Sequence, residues 1–189
     1  MTRPESDAWV ALDFETATAE RDSACALAVV VIEDGAVTGR DSWLIRPPGN
    51  HYDGRNIWIH GITPEQTEDA PSFGELYEQI RPYLEGRHVI AHSAPFDVSV
   101  LRASLVRHRI PTPEVRYVCS CAMARRAYPL LPNHRLPTLC AHCGIDLDHH
   151  DAASDANACA RVALACRDQV GASSVREAVE LLGVSVRTL

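Results

Sequence analysis

Two acidic side chains end an apolar stretch near the N-terminus. In "VALDFETAT", residues 10–18, Asp13 and Glu15 stand two positions apart. Residues i and i+2 of a β-strand point to the same face, about 6–7 Å apart, so the two carboxylates converge. Like charges this close raise each other's pKa unless a cation lies between them. The pair therefore indicates a cation site, and a solvated strand end is the simpler alternative.

Two further carboxylates occur at the starts of predicted helices. Asp97 follows "VIAHSAPF", and Asp155 lies in "HHDAASDA". An acid in the first turn of a helix also stabilises the helix by itself, so neither position is diagnostic alone. Together, however, three segments can bring four carboxylates to one end of a sheet. Clustered carboxylate oxygens are the hard ligands that Mg²⁺ prefers.

The acids stand in an ordered set of motifs that resembles the DnaQ-like DEDDh 3′–5′ exonucleases. "LDFETAT" resembles the first motif of that family, Asp-x-Glu-Thr, and "HGIT", residues 60–63, resembles the segment that follows it. "IAHSAPFDVSVL" resembles the second motif, and "HHDAASDA" resembles the third, His-x-x-x-x-Asp. The resemblance runs from about residue 8 to about residue 168. It implies an α/β fold with a ribonuclease H-like mixed β-sheet flanked by helices.

The resemblance also implies an activity: divalent-metal-dependent hydrolysis of phosphodiester bonds at the 3′ end of single-stranded nucleic acid, with DNA as the first expectation. Two ions, Mg²⁺ or Mn²⁺, would activate the attacking water and stabilise the departing oxygen. The implied metal ligands are Asp13, Glu15, Asp97 and Asp155. Glu15 and the implied general base, His150, are the catalytic pair. His149 is the less favoured base, because five residues separate it from Asp155 where the motif has four.

A second implied group contacts the 3′ end of the substrate. Thr16 would hold the terminal 3′-hydroxyl, Ile59, His60 and Phe96 would pack against the last base or ribose, and His92 would contact a phosphate. Plain packing is the alternative for each of them.

The motifs also depart from the family pattern in three places. Ser93 replaces the usual Asn, the first motif continues Thr-Ala-Thr, and Asp151 follows His150 where Arg is frequent. These positions leave the choice between DNA and RNA open.

Two other functions remain open at this stage. One is an RNA-trimming or oligoribonuclease-type 3′–5′ exoribonuclease, because discrimination of the 2′-hydroxyl depends on a few contacts. The other is a catalytically vestigial module that binds nucleic acid or docks on a polymerase. The expected partners are single-stranded DNA or RNA 3′ ends and a DNA polymerase subunit.

Hydrophobic periodicity predicts the elements that must position these residues. Residues 8–14 read as a strand, and 25–45 as a hairpin that turns at Asp34-Gly35. Residues 46–56 are rich in Pro and Gly and read as a loop. Later strands are predicted at 87–92 and 114–120. Helices are predicted at 73–84, 96–108, 120–128, 134–143, 154–170 and 174–182. A meander followed by strands alternating with helices predicts a mixed sheet, with an exonuclease domain at 1–170 and a helical tail at 171–189 that packs on or extends it.

Composition and charge restrict the class of protein further. No apolar run is long enough to span a membrane, and the polar N-terminus lacks a signal peptide, so we expect a cytoplasmic protein. A net charge of −7 disfavours nucleic-acid binding by overall charge. Residues 102–135 nevertheless carry several Arg against one acid, Glu114, and are expected either to follow a substrate strand or to form a solvated face.

The seven cysteines are expected to be reduced thiols. Cys119, Cys121, Cys140 and Cys143 invite a zinc site, but Cys-x-Cys is an unusual half of one, and the helical spacing of Cys140 and Cys143 favours buried packing.

Overall fold

A computed structural model describes residues 7–189, which form one six-stranded mixed sheet with helices on both faces. The strand order is β3-β2-β1-β4-β5-β6. The strands are β1 (Trp9–Thr16), β2 (Ala24–Glu33), β3 (Ala36–Leu44), β4 (Arg87–Ala91), β5 (Val115–Cys119) and β6 (Arg187–Thr188). The parallel pairs are β1–β4 and β4–β5, and the other neighbours are antiparallel. The predicted mixed sheet is confirmed.

The first three strands form the predicted meander. Asp34 and Gly35 both have positive φ, 49° and 78°, as a two-residue hairpin turn requires. The turn lies beside Trp9, because Trp9 pairs with Ile32 of β2. The other end of β1, where Glu15 pairs with Ala26, therefore lies at the end of the sheet opposite to the hairpin turn.

Eight helices occur in the described part of the chain. They are α1 (Gly54–His60), α2 (Pro64–Thr67), α3 (Phe73–Ile80), α4 (Pro95–Arg107), α5 (Ser120–Ala127), α6 (Leu136–Cys143), α7 (Ala152–Gln169) and α8 (Val175–Leu181). Single 3₁₀ turns lie at Pro48–Asn50 and Arg81–Tyr83. No helix among residues 7–189 combines the length and the apolar character that crossing a bilayer demands.

Each face of the sheet is covered by its own apolar core. Side chains alternate along β1, so Trp9 and Ala11 join one core while Val10 and Leu12 join the other. The first core is closed mainly by α7, whose buried residues are small, such as Ala160. Small side chains let this long helix approach the sheet closely, which brings the start of α7 next to the end of β1.

The structure differs from the sequence prediction at several element boundaries. The segment 46–56 is not all loop, because α1 already begins at Gly54 and a 3₁₀ turn precedes it. Helix α3 ends at Ile80 instead of continuing to residue 84, since Pro82 cannot donate the next helical hydrogen bond. The elements α2 and β6 were not predicted.

The last residues pack against the rest of the chain. Val175 and Ala178 of α8 are fully buried in the core beside α7, and β6 pairs with β5. The division into residues 1–170 and 171–189 stays a prediction.

Candidate active site

Strand β1 delivers the first two carboxylates. Asp13 and Glu15 lie on one face of the strand. Leu12, which precedes Asp13, and Phe14, which separates the two acids, point to the other face and are buried in the core there. The pairing with β2 shifts register between Glu15 and Thr16. An irregularity of this kind bends the strand locally and ends regular pairing, which is common beside active sites.

Two helix starts deliver the other carboxylates. Asp97 lies in the first turn of α4, and its Oδ1 accepts a hydrogen bond of 3.1 Å from the backbone N–H of Phe14. Asp155 lies in the first turn of α7, and its Oδ2 accepts a bond of 3.0 Å from the backbone N–H of His150. Both acids are almost completely buried. These bonds hold each carboxylate in one orientation.

All of the predicted site residues line one cavity of about 560 Å³ at this end of the sheet. The metal-ligand candidates, His150 and the five substrate-contact candidates are therefore brought together by the fold, although their roles stay predictions. The cavity also has lining residues to which the sequence assigned no role: Phe14, Asn56, Leu136 and Pro137. Ser93, the less favoured base His149, and Arg135 from the Arg-rich stretch 102–135 line it as well.

The carboxylates are not equally close to one another. One oxygen each of Asp13, Glu15 and Asp155 lies within 4.8 Å of the others. Asp97 lines the same cavity but falls outside this tight group.

The proximity of these acids makes their ionisation costly in the absence of a cation. Burial, followed by the charges of Asp97, Asp155 and Glu15, raises the pKa of Asp13 well above its ordinary value. Burial and the charges of Asp155 and Asp97 raise the pKa of Glu15 to about 8. Burial also raises the pKa of Asp97 to about 7, against the opposing hydrogen bond from Phe14.

The donor set fits a hard divalent cation. Asp13, Glu15 and Asp97 form no ion pair with a basic side chain anywhere in residues 7–189. Three carboxylate oxygens in mutual reach, without a neutralising Arg or Lys, are the arrangement that Mg²⁺ or a similar ion requires. The cation would compensate for the burial and the mutual repulsion that raise these pKa values.

Two adjacent histidines stand over Asp155. Their rings are stacked with centroids 3.8 Å apart, and His150 adopts a left-handed backbone with φ of 74°. His149 Nδ1 lies 3.1 Å from both carboxylate oxygens of Asp155. Burial and then the charge of His149 lower the pKa of His150, which favours the neutral imidazole. Motif spacing disfavoured His149, yet the structure places both rings in the site.

The backbone of Thr16 is held by two side chains from α1. Its carbonyl accepts a 2.7 Å bond from Asn56 Nδ2 and a 3.2 Å bond from His60 Nε2. His60 Nδ1 accepts from the N–H of Ile62 at 3.0 Å, so both ring nitrogens are engaged by the backbone. Only the ring face of His60 is then free for a ligand. The role of Asn56 was not predicted because it lies in a segment that reads as loop.

The remaining predicted contacts differ in character. Ile59 and Phe96 are half-buried apolar walls of the cavity, and the Arg21 guanidinium lies 4.5 Å from the Phe96 ring centroid. His92 bonds through its ring nitrogens to Ser120 and to the carbonyl of His134. Burial lowers the pKa of His92 to about 4, so this imidazole is neutral.

The model of a family described as "Exonuclease", RNase_T, matches residues 10–163. The DNA polymerase III subunit epsilon of Pasteurella multocida is 33% identical over 147 residues, covering 72% of this chain and 58% of that relative. The PolC-type DNA polymerase III of Oceanobacillus iheyensis is 32% identical over 155 residues, covering 80% of this chain. The chain spans only 11% of the length of the latter.

Solved structures share the fold at lower sequence identity. Exonuclease X in complex with 5′ overhanging duplex DNA superposes with a TM-score of 0.71 at 22% identity, covering 93% of this chain and 99% of that one. The nuclease domain of 3′hExo, a DEDDh family member bound to rAMP, superposes with a TM-score of 0.73 at 18% identity, covering 89% and 95%. The expected ribonuclease H-like architecture is confirmed.

Proposed function

Because the chain belongs to the exonuclease family, with the DnaQ-like DEDDh members among its relatives, we propose that it hydrolyses single-stranded DNA from the 3′ end. Each turnover would release one nucleoside monophosphate. DNA is the proposed substrate because the relatives matched over most of this chain are DNA polymerase III components.

One observation carries this proposal. Four carboxylates from β1, α4 and α7 line one cavity, and three of them approach within 4.8 Å without an Arg or Lys partner among the described residues. Burying like charges together is costly unless the site serves a cation. A catalytically vestigial binding module has no need for a buried carboxylate cluster that destabilises its fold.

We assign Asp13, Glu15, Asp97 and Asp155 as the residues that would hold divalent ions, Mg²⁺ or Mn²⁺. When bound, such ions activate a water and stabilise the departing oxygen of the phosphodiester. The protein's own part is to orient the ligands: the N–H groups of Phe14 and His150 fix Asp97 and Asp155.

Proton transfer falls to His150. Its lowered pKa leaves a ring nitrogen free to accept a proton from the attacking water at neutral pH. His149 contacts Asp155 through Nδ1 and would orient that carboxylate. Replacing His150 by Ala should therefore reduce kcat by about 10²–10⁴-fold. His149→Ala should reduce it less, and a larger loss for His149→Ala would reverse the two assignments.

At the 3′ end, Thr16 would hold the terminal hydroxyl. Asn56 and His60 stabilise this position through the Thr16 carbonyl. Ile59, Phe96 and the face of His60 would pack against the last base and ribose. Such contacts tolerate any base, as a nonspecific exonuclease requires.

The direct test uses oligonucleotides labelled at either end. After removal of metal with EDTA and addition of Mg²⁺ or Mn²⁺, a 3′ label should appear at once in a mononucleotide, while a 5′ label should pass through a descending ladder. Degradation from the 5′ end, or cleavage that persists in EDTA, would contradict the proposal.

Matched variants separate the site from the fold. Asp13→Asn should lose about 10²–10⁴-fold in rate, because it removes a central metal ligand. Asp34→Asn makes the same chemical change at an exposed turn beside the opposite end of β1 and should digest at the wild-type rate. Wild-type activity in Asp13→Asn would refute the metal assignment.

The choice of nucleic acid is tested with matched DNA and RNA oligomers. One structural neighbour is a 3′-exonuclease described in 3′-end-specific recognition of histone mRNA stem-loop, so RNA is the competing substrate. Faster digestion of RNA would transfer the proposal to 3′–5′ exoribonuclease activity without changing the site.

We also propose that a DNA polymerase subunit is a partner, since the relatives are a polymerase subunit and a polymerase. Gel filtration of the chain with the replicative polymerase subunit of its own organism should yield a shared peak. Separate elution at micromolar concentrations would favour an enzyme that acts alone.

A further inference from the structure

Arg135 is the one Lys or Arg among the described residues that line the acidic cavity. Its side chain is exposed, and it has no ion pair within residues 7–189. Its positive charge therefore lines the cavity without forming an ion pair with the carboxylates.

The backbone around Arg135 is held rigidly. The N–H of Arg135 donates to Asn133 Oδ1 at 3.1 Å, and the Thr138 hydroxyl donates to the same oxygen at 2.8 Å. The Arg135 carbonyl accepts the first hydrogen bond of α6 from Leu139. The guanidinium is thus mobile only about its own side-chain bonds.

A buried chain of hydrogen bonds ties the preceding residue to the core. His92 Nε2 must carry a proton, because its partner at 3.1 Å is the His134 carbonyl, which can only accept. In the neutral ring, Nδ1 then accepts from the Ser120 hydroxyl at 2.9 Å, and Ser120 Oγ in turn accepts from the Cys159 thiol. A second thiol, Cys121, also donates to the His134 carbonyl. Every donor in this chain has a defined acceptor.

From this geometry we infer that Arg135 binds a backbone phosphate of the substrate strand, and that His92 positions it by anchoring the His134 carbonyl. The inference rests on the proposed function and deepens it. It also changes the role expected for His92, whose ring nitrogens are occupied by protein partners and are not available to a phosphate.

The chemistry favours a phosphate as the ligand. A guanidinium binds phosphate oxygens through paired N–H donors, and an exposed Arg loses little hydration when it does so. The cavity is otherwise acidic and would repel a polyanion. The Arg135 guanidinium at the cavity wall supplies an attraction for phosphate that the metal ligands cannot supply.

The first experiment measures binding alone. A 5′-fluorescein-labelled oligothymidylate is titrated in EDTA, so that anisotropy reports affinity without hydrolysis. Arg135→Gln should weaken binding about tenfold, the usual size for a charge-assisted contact. It should also lower the slope of log K against log salt by about 0.7, as expected for one phosphate on a single strand.

Matched variants define the effect. Arg81→Gln removes the same charge from an exposed Arg that pairs with Glu78, remote from the cavity, and should leave both affinity and salt slope at wild-type values. Arg135→Lys should retain the salt slope but not the full affinity. An Arg135→Gln protein with an unchanged salt slope would overturn the phosphate assignment.

The second experiment tests positioning by a double-mutant cycle. Ser120→Ala or His92→Phe should weaken oligonucleotide binding several-fold in the wild-type background and have little effect in the Arg135→Gln background, because both changes act through the same contact. His92→Gln keeps an N–H donor for the His134 carbonyl and should restore part of the affinity. Additive effects would show that His92 does not act through Arg135.

Failure of the inference is distinguishable from failure of the proposed function. A protein that binds with an Arg135-dependent salt slope but never hydrolyses DNA or RNA would keep the phosphate site and reject the nuclease. Normal 3′–5′ digestion with no Arg135 dependence would do the reverse. Ser120→Ala removes only one hydroxyl, so it supplies the cycle even if the His92→Phe protein does not fold.

Discussion

Replacing Glu15 by Gln is expected to stabilise the metal-free protein, and to do so more at pH 8 than at pH 5. Glu15 is buried beside Asp155 and Asp97, and its pKa rises from an ordinary value of 4.5 to about 8. A raised pKa means that the folded protein prefers the protonated acid. The stability that the protonated Glu15 provides is therefore fully present below pH 4.5. It is lost progressively as the pH rises from 4.5 through 8, because the folded protein must then hold the charge.

The magnitude follows from the two pKa values. Each pH unit between 4.5 and 8 costs about 1.4 kcal/mol, because the unfolded chain has released a proton that the folded chain retains. The loss is about 1 kcal/mol at pH 5 and about 4 kcal/mol at pH 8 relative to strongly acidic solution. Glutamine carries no charge, so Glu15→Gln should gain about 3 kcal/mol more at pH 8 than at pH 5.

The assay is urea unfolding of EDTA-treated wild-type and variant proteins at both pH values. Exposed Glu180 on α8 supplies a matched control, and Glu180→Gln should change the free energy of unfolding by no more than about 0.5 kcal/mol at either pH. Addition of Mn²⁺ at pH 8 should reverse the order, since the ion stabilises only the protein with the complete ligand set.

Two results would refute this reasoning. If Glu15→Gln were no more stable than wild type at pH 8, burial and the neighbouring carboxylates would not raise the pKa of Glu15 as the structure requires. If the gain were the same at both pH values, it would come from packing or hydrogen bonding rather than from charge.

Three further substitutions test individual parts of the structure. Asn56→Ala removes the 2.7 Å bond to the Thr16 carbonyl and should raise KM several-fold while costing about 1–3 kcal/mol of stability, measured by steady-state kinetics and urea unfolding; an unchanged KM would show that Thr16 needs no support. Leu101→Ala opens a cavity under α4, where Leu101 is fully buried, and should cost about 2–5 kcal/mol in urea unfolding. A loss below 1 kcal/mol would mean that the core around position 101 collapses onto the smaller side chain. Ser72→Ala removes the hydroxyl that accepts a hydrogen bond from the Glu75 N–H at the start of α3, and it should lower stability by about 1 kcal/mol with no change in activity, checked by thermal unfolding and the nuclease assay.

Local pattern was sufficient for much of the fold. The Asp34-Gly35 turn, the β2–β3 hairpin and the start of α3 at residue 73 were predicted from neighbouring residues alone and are confirmed. These features depend on contacts within a few residues. The missed elements α1, α2 and β6 are short, and their stability comes from packing and pairing with distant segments, as when β6 adds to the edge of β5.

The candidate site divides in the same way. Types and spacing of Asp13, Glu15 and Asp155 pointed to a carboxylate cluster, and the fold brings these three together. Nothing local marked Asn56, which lies in a segment that reads as a loop, and Arg135 was marked only as a member of the Arg-rich stretch 102–135. Each of them reaches the cavity only through the course of the chain.

By itself, the sequence determined which side chains we propose for the chemistry, since a strand places alternate residues on one face and a helix start accepts an acid. The tertiary structure alone decided how those groups are held and charged. The raised pKa values of the acids depend on burial and on carboxylates from remote segments. The proton on His92 Nε2 depends on a carbonyl that lies 42 residues away in the chain. The pKa values of the acids and the position of the His92 proton are therefore set by distances across the fold and not by neighbours along the chain.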